Sequence, residues 1–402
     1  MIALLLAQTI AVTGATVYPV SGPKLANATV LIKDGKITAV GAQVTVPPDA
    51  TRIDARGKWV TPGLIEGAGQ MGLVEIGAVS GTREGTVKGD TIAAAFNVVE
   101  GINPASTLIP VTRIEGITTA LAAPLGNLVS GQAVLIDLDG TTIEQMLVKS
   151  PVGIVADLSE SGKEGAGGSR AAVATRLRRV FRDALEYERR QADYSRAQIE
   201  PLGASAADLA ALLPLLHGRE PLIARANRRS DLETSLRIAK EFNLKLILAG
   251  AAEGWEIAGD IARAGVPVLV EPLSNIPTYD GLGIRLENAA LLAQAGVRVA
   301  LVDTDTHNAR NLRQQAGNAV SYGLSWDQAL RAVTLTPAEI FGVADHYGSL
   351  EPGKVANLVV WSGDPFEFTT RVEHVLIRGR EIPLRSRQTE LFERYKKLPP
   401  SY

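Results

Sequence analysis

The chain has 402 residues, 46% hydrophobic and 21% charged, which excludes a disordered polyelectrolyte and leaves room for one large domain and a smaller one. A net charge of -2 offers no basic surface for nucleic acid. The absence of cysteine excludes disulfides, thiolate metal sites and a cysteine nucleophile.

The chain opens on Met1-Ile-Ala-Leu-Leu-Leu-Ala7, an apolar run without a basic start. It reads either as the lead into a first strand or as the remnant of a signal peptide. The second reading places the protein in the periplasm, the first in the cytoplasm. No other stretch reaches the ~20 apolar residues of a membrane span.

Up to Val60 the pattern is β. Thr9–Val12 and Ala15–Tyr18 are short β-rich runs. Ala28–Lys33 and Lys36–Val40 flank Asp34-Gly35, a hairpin turn signal. Thr51–Ala55 and Lys58–Val60 follow, and Pro62-Gly63 breaks the pattern.

The middle alternates. Strand patterns lie at Ile117–Ala122, Val152–Ala156, Leu222–Ala226, Lys245–Ala249, Val266–Val270 and Arg298–Val302. Helical patterns cover Arg170–Arg196, Asp231–Phe242, Gly254–Ala264, Leu286–Ala295 and Ala309–Tyr322. Alternation of this kind implies parallel βα units. The arginines of the first helical stretch are balanced by acids, as on a solvated amphipathic helix. Gly126–Gln132 reads as a loop.

The end returns to β at Gly348–Trp361 and Val372–Arg378, with a last helix over Gln388–Lys397. The expected fold class is therefore α/β. A (β/α)8 TIM-like barrel over 61–344 carries a small β-sandwich built from both chain ends, 8–60 plus 345–385. A C-terminal helix and tail occupy 386–402.

Three stretches carry a resemblance. Ala28–Gly41 with Ile53–Glu66, the helix Ala329–Gly342, and Gly348–Val360 together resemble the two ends of the amidohydrolase superfamily, within it the imidazolonepropionase-related branch. The resemblance implies hydrolysis of carbon–nitrogen bonds other than peptide bonds. It also implies one or two divalent metals at the barrel mouth. These would be held by an H-x-H after the first strand, histidines after the fifth and sixth, and an aspartate after the eighth. Such an ion lowers the pKa of a bound water.

Here Gly67-Ala68-Gly69-Gln70 stand where the H-x-H belongs, and the fifth and sixth strands end without histidine. The whole chain has four histidines: His346 and His374 in sandwich segments, His217 before the fifth strand, and His307 near the mouth. No metal ligand is assigned, and no cofactor is expected.

Asp303, Asp305 and His307 follow the eighth strand and could act as acid and base without metal. The alternative is that the aspartates cap the next helix. Glu66, Gln70, Arg225, Asn227 and Glu253 stand at other strand ends as substrate-binding candidates. Arg225 could hold an anionic group, or pair with Glu66 or an aspartate and fill the metal's space. Two functions follow: a metal-independent hydrolase of a small amide, or an inactive relative that binds a small ligand or supports a paralogous enzyme. The expected partner is a small molecule, not nucleic acid or membrane. A homo-oligomer or a hetero-oligomer with a paralogue is compatible with either.

Overall fold

The computed structural model describes residues 9–196, 198, 201–273 and 278–397. The apolar lead Met1–Ala7 lies outside the described residues. Near the N-terminus come β1 (Thr9–Val17), β2 (Leu25–Lys33), β3 (Lys36–Gly41), β4 (Thr51–Asp54) and β5 (Trp59–Pro62). The barrel strands are β6 (Leu64–Glu66), β7 (Ile117–Ala122), β8 (Val129–Asp137), β9 (Leu147–Asp157), β10 (Leu222–Ala226), β11 (Leu246–Gly250), β12 (Val268–Val270) and β13 (Val299–Leu301). The chain then adds β14 (Leu358–Trp361), β15 (Val372–Ile377) and β16 (Arg380–Ile382).

Both chain ends contribute strands to one hydrogen-bonded sheet, whose far ends meet where Gly35 lies against Arg378 and Gly379. Its order is β16-β15-β14-β5-β1-β2-β3, with β4 also paired to β1. The reason is β5, which pairs with β1 on one side and with β14 on the other. The two runs expected around residue 14 form one strand with a bulge. The β2–β3 turn has positive φ at both Asp34 and Gly35, which suits the twist of a tight hairpin.

The second sheet has eight strands in the order β6 to β13 and is nearly closed. It differs from a pure (β/α)8 barrel at one strand. β8 runs antiparallel to both β7 and β9. Residues 123–128 join β7 to β8, too few for the crossover that a parallel neighbour requires. Part of the loop expected at Gly126–Gln132 is therefore strand.

Side chains alternate along these strands between barrel interior and helical shell. Ile65, Leu121, Val155, Ile223, Ile247, Leu269, Ala300 and Val302 fill the interior. Leu64, Ala156, Leu222, Ala224, Leu248 and Val268 face outward onto helices. The helix Arg170–Arg189 buries Val173, Leu177, Val180, Phe181, Ala184 and Tyr187 at three- and four-residue spacing. Its Arg178 and Arg182 pair with Glu241 at the end of the helix Arg229–Glu241, as a solvated face would. No helix among the described residues is long and apolar enough to cross a membrane.

Sheet and barrel meet at Asp137, the last residue of β8 and fully buried. It accepts from Thr119 Oγ1 at 2.8 Å, Asn357 Nδ2 at 2.8 Å, Tyr347 Oη at 3.0 Å and Arg378 Nε at 2.6 Å. Burial pushes its carboxyl up against the opposing pull of Arg378. Arg378 also donates to the carbonyls of Gln145 and Leu147. Removing one partner from a buried charged network costs about 3–5 kcal/mol. Asp137→Ala should lower the urea-unfolding free energy by that amount. A loss under about 1 kcal/mol would show that apolar packing alone holds the junction.

Candidate functional site at the barrel mouth

A cavity of about 200 Å³ opens at the C-terminal ends of the barrel strands. In barrels of this kind, ligands meet the protein at that end. Its walls are apolar, from Leu121, Val155, Ile223, Leu269 and Ile284. Its polar groups include Arg225, Asn227, Glu271, Asp280, Arg285 and Thr304.

Alternation along the strands decides which residues reach the cavity. Ile223 points inward on β10, so Arg225 does too, one layer nearer the mouth. Leu269 and Glu271 repeat the relation on β12, and Val302 and Thr304 on β13. On β6 the inward residues are Ile65 and Gly67. Glu66 and Asp303 therefore fall on the opposite parity, at the seam between the first and eighth strands.

Glu66 is buried, with 1% of its surface exposed. Its carboxylate accepts from the backbone N–H of Ala68 at 3.0 Å and of Asp303 at 3.1 Å. Burial, then the charge of Asp303, raises its pKa well above the carboxylate range. Asp303 Oδ2 accepts from Gln315 Nε2 at 3.2 Å, and its Oδ1 from the Asp305 N–H at 3.2 Å. Burial pushes the Asp303 carboxyl up to about 6.

Asp305 and His307 are adjacent, with His307 Nδ1 3.5 Å from Asp305 Oδ1. Asp305 also accepts from the His307 N–H at 2.9 Å and from Asn308 Nδ2 at 3.0 Å, the geometry of a local capping turn. His307 Nε2 lies 3.1 Å from the carbonyl of Glu75. Asp303, Asp305 and His307 do not line the cavity; Thr304, between them, does.

Of the substrate-binding candidates, Arg225 and Asn227 line the cavity, whereas Glu66, Gln70 and Glu253 do not. Gln70 turns its amide against Gly85. Glu253 accepts from the N–H groups of Arg229 at 2.8 Å and Gly283 at 3.2 Å, tying down the segment beside the mouth. Asn227 packs on Gly250, where a Cβ would lie 2.3 Å from Asn227 Oδ1.

Arg225 Nη1 is 3.3 Å from Asp157 Oδ2 and has no other hydrogen-bond partner among the described residues. Asp157 also accepts from Ser159 and Ser161. A guanidinium carries five N–H donors, so most of Arg225's capacity stays open to the cavity. Glu271 was missed in the sequence, although it follows Leu269 by the same two-residue step. It accepts from Thr304 Oγ1 at 2.5 Å and from the Thr304 N–H. Asp280 reaches the rim because Arg170 binds it together with Glu160 and Asp231.

A carboxyl with a raised folded-state pKa holds its proton more tightly folded than unfolded. Stability attributable to Asp303 is thus present below pH 3.8 and is lost as pH rises to about 6. The loss amounts to about 2–3 kcal/mol. Asp303→Asn should remove it, and Gln315 Oε1, buried without a partner among the described residues, can accept from the new amide. The variant should gain on the parent protein between pH 4 and pH 7.5 in chemical unfolding. A gap that does not change with pH would show that Asp303 is not held protonated.

The family model described as "Amidohydrolase family" matches residues 235–382. The chain is 25% identical over 384 residues to the amidohydrolase tasK of Hapsidospora irregularis, covering 87% of this chain and 39% of that protein. It thus spans about two-fifths of that relative's length. A stretch of 38 residues is 50% identical to the dihydroorotase of Anaeromyxobacter sp. (strain K), 10% of this chain and 9% of that one. Among solved structures, an amidohydrolase from Thermotoga maritima MSB8 superposes with a TM-score of 0.85 at 29% identity, over 93% of this chain and 99% of that one. Molinate hydrolase, at 19% identity and a TM-score of 0.60 over 94% and 95% of the two chains, shares the fold. The chain is thus similar to amidohydrolases in its C-terminal part by family model, over most of its length by relative, and in fold by solved structure.

Proposed function

We propose that the barrel mouth binds a small amide or peptide-like ligand through a carboxylate gripped by Arg225. On this reading the chain is a relative of the imidazolonepropionase-related branch in which the metal-binding histidines have been replaced. It is a binding protein rather than a metal hydrolase. The observation that carries the reading is Arg225 itself, a cavity-lining guanidinium with one side-chain partner among the described residues. Apolar walls around it lower the local dielectric, which strengthens a bidentate contact to a carboxylate.

The donor set does not fit a binuclear metal centre. Ala68 brings no ligand atom, and Gln70 turns away. Glu66, Asp303 and Glu271 each accept hydrogen bonds from protein donors. Among the described residues, no three His, Cys, Asp or Glu are grouped to hold an ion. Arg225, at the end of the fifth strand, adds a positive charge where an ion would need negative ones.

A second reading, hydrolysis without metal, draws on the closeness of His307 to Asp305. Against it, the ring's other nitrogen meets a backbone carbonyl, and neither residue lines the cavity.

The test is a panel of N-acyl amino acids, dipeptides and cyclic amides, each paired with its carboxamide analogue, in thermal-shift and calorimetric titrations. Carboxylates should stabilise the protein and carboxamides should not. Arg225→Ala should weaken binding about 10- to 150-fold, as expected for a lost charge-assisted hydrogen bond. Equal binding in the variant sinks the role of Arg225. Stoichiometric zinc or manganese with chelator-sensitive turnover sinks the metal-free reading. Chelator-resistant turnover lost in Asp305→Asn and His307→Ala would favour the second reading.

A further inference from the structure

We infer that the opposite, N-terminal face of the barrel carries a second binding site, for a small multivalent anion such as a phosphate ester or a polycarboxylate. A cavity of about 490 Å³ opens there, below β9 to β13. Four basic side chains line it: Lys149, Arg219, Lys245 and Arg298. Lys149 lies on β9, and the other three directly precede or nearly precede β10, β11 and β13.

Strand register brings two of them to one level. The carbonyl of Lys245 accepts from the N–H of Leu222, and that of Arg298 from the N–H of Val268, so each sits where a strand enters the barrel. The lining holds one acid, Glu339, already bound to Arg331 at 2.6 Å. Glu220, the nearest acid in sequence, does not line the cavity. In the whole chain 41 basic residues face 43 acidic ones, so four to one is a local departure from the average surface.

Packing does not explain the cluster. Arg219, Lys245 and Arg298 are exposed. The side chains of Arg219 and Lys245 have no hydrogen-bond or ion-pair partner among the described residues. Lys149 gives one bond to the carbonyl of Phe341 at 3.0 Å, and Arg298 one to that of Gly265 at 3.3 Å. Like charges around one concavity repel each other and focus a positive potential into it. A multivalent anion relieves the repulsion and takes the free N–H groups. The site is independent of Arg225, which lies at the other end of the barrel.

Calorimetry of the full chain with inorganic pyrophosphate and with citrate, in about 50 mM salt, tests this. At least one anion should bind saturably, one per chain. Raising salt to about 0.3 M should weaken it several-fold by screening. Lys245→Glu with Arg298→Glu should weaken binding about tenfold or more, and the neutral pair Lys245→Gln with Arg298→Gln by less. The neutral pair keeps the test valid if charge reversal disturbs folding. Arg225→Ala should bind as the parent does. No saturable binding of either anion overturns the inference. So does affinity unchanged in both pairs, or affinity lost in Arg225→Ala, which would put the anion at the mouth.

Discussion

The hydrogen bonds of Glu66 close the barrel. Ladder pairing runs from β6 round to β13, and the described residues show none between those two strands. The Glu66 carboxylate fills the gap by accepting backbone N–H groups from both sides, Ala68 after β6 and Asp303 after β13. One layer higher, Thr306 Oγ1 accepts from the N–H of Gln70 across the same seam. A buried carboxylate spent on backbone donors cannot also serve a ligand. Burial and the charge of Asp303 together hold the Glu66 carboxyl well above its ordinary pKa. The hydrogen bonds of Asp303 are spent on Gln315 and Asp305, which orders the start of the next helix.

That arrangement leaves the mouth to residues of the other parity. Arg225, Glu271 and Thr304 project inward because they continue the inward rows of Ile223, Leu269 and Val302. Asp157 does the same above Val155 and becomes the counter-ion of Arg225. The mouth thus contains a cation with open donors and a carboxylate held by a threonine, set among aliphatic side chains. Such a pocket suits recognition of a small charged molecule.

The two faces of the barrel are tied down differently. At the mouth, Arg170 gathers Glu160, Asp231 and Asp280 and so holds the rim segment in place. At the sheet side, Asp137 gathers donors from β7, the turn after β15 and the loop before β14. Both are single charges satisfied by residues far apart in the chain. Neither could be assembled from local sequence signals.

What was legible in the sequence was whatever repeats locally. Periods of two and of three to four marked six inner strands and the main helices, because side-chain direction depends only on neighbouring residues. The Asp34-Gly35 turn was readable because its positive φ values are a property of those residue types. The antiparallel β8 was not readable, since Gly126 and Gly131 look like loop and only the short link to β7 dictates direction. Glu271 and Asp157 were overlooked, although the two-residue step from Leu269 and Val155 pointed to them. Whether Asp303 or Asp305 faced the cavity turned on seam closure, and the structure turned Thr304 inward instead. The sequence by itself determined which chemical groups exist and along which local rows they lie. The tertiary structure decided which rows face each other, because burial, charge pairing and strand register join residues that the chain keeps hundreds of positions apart.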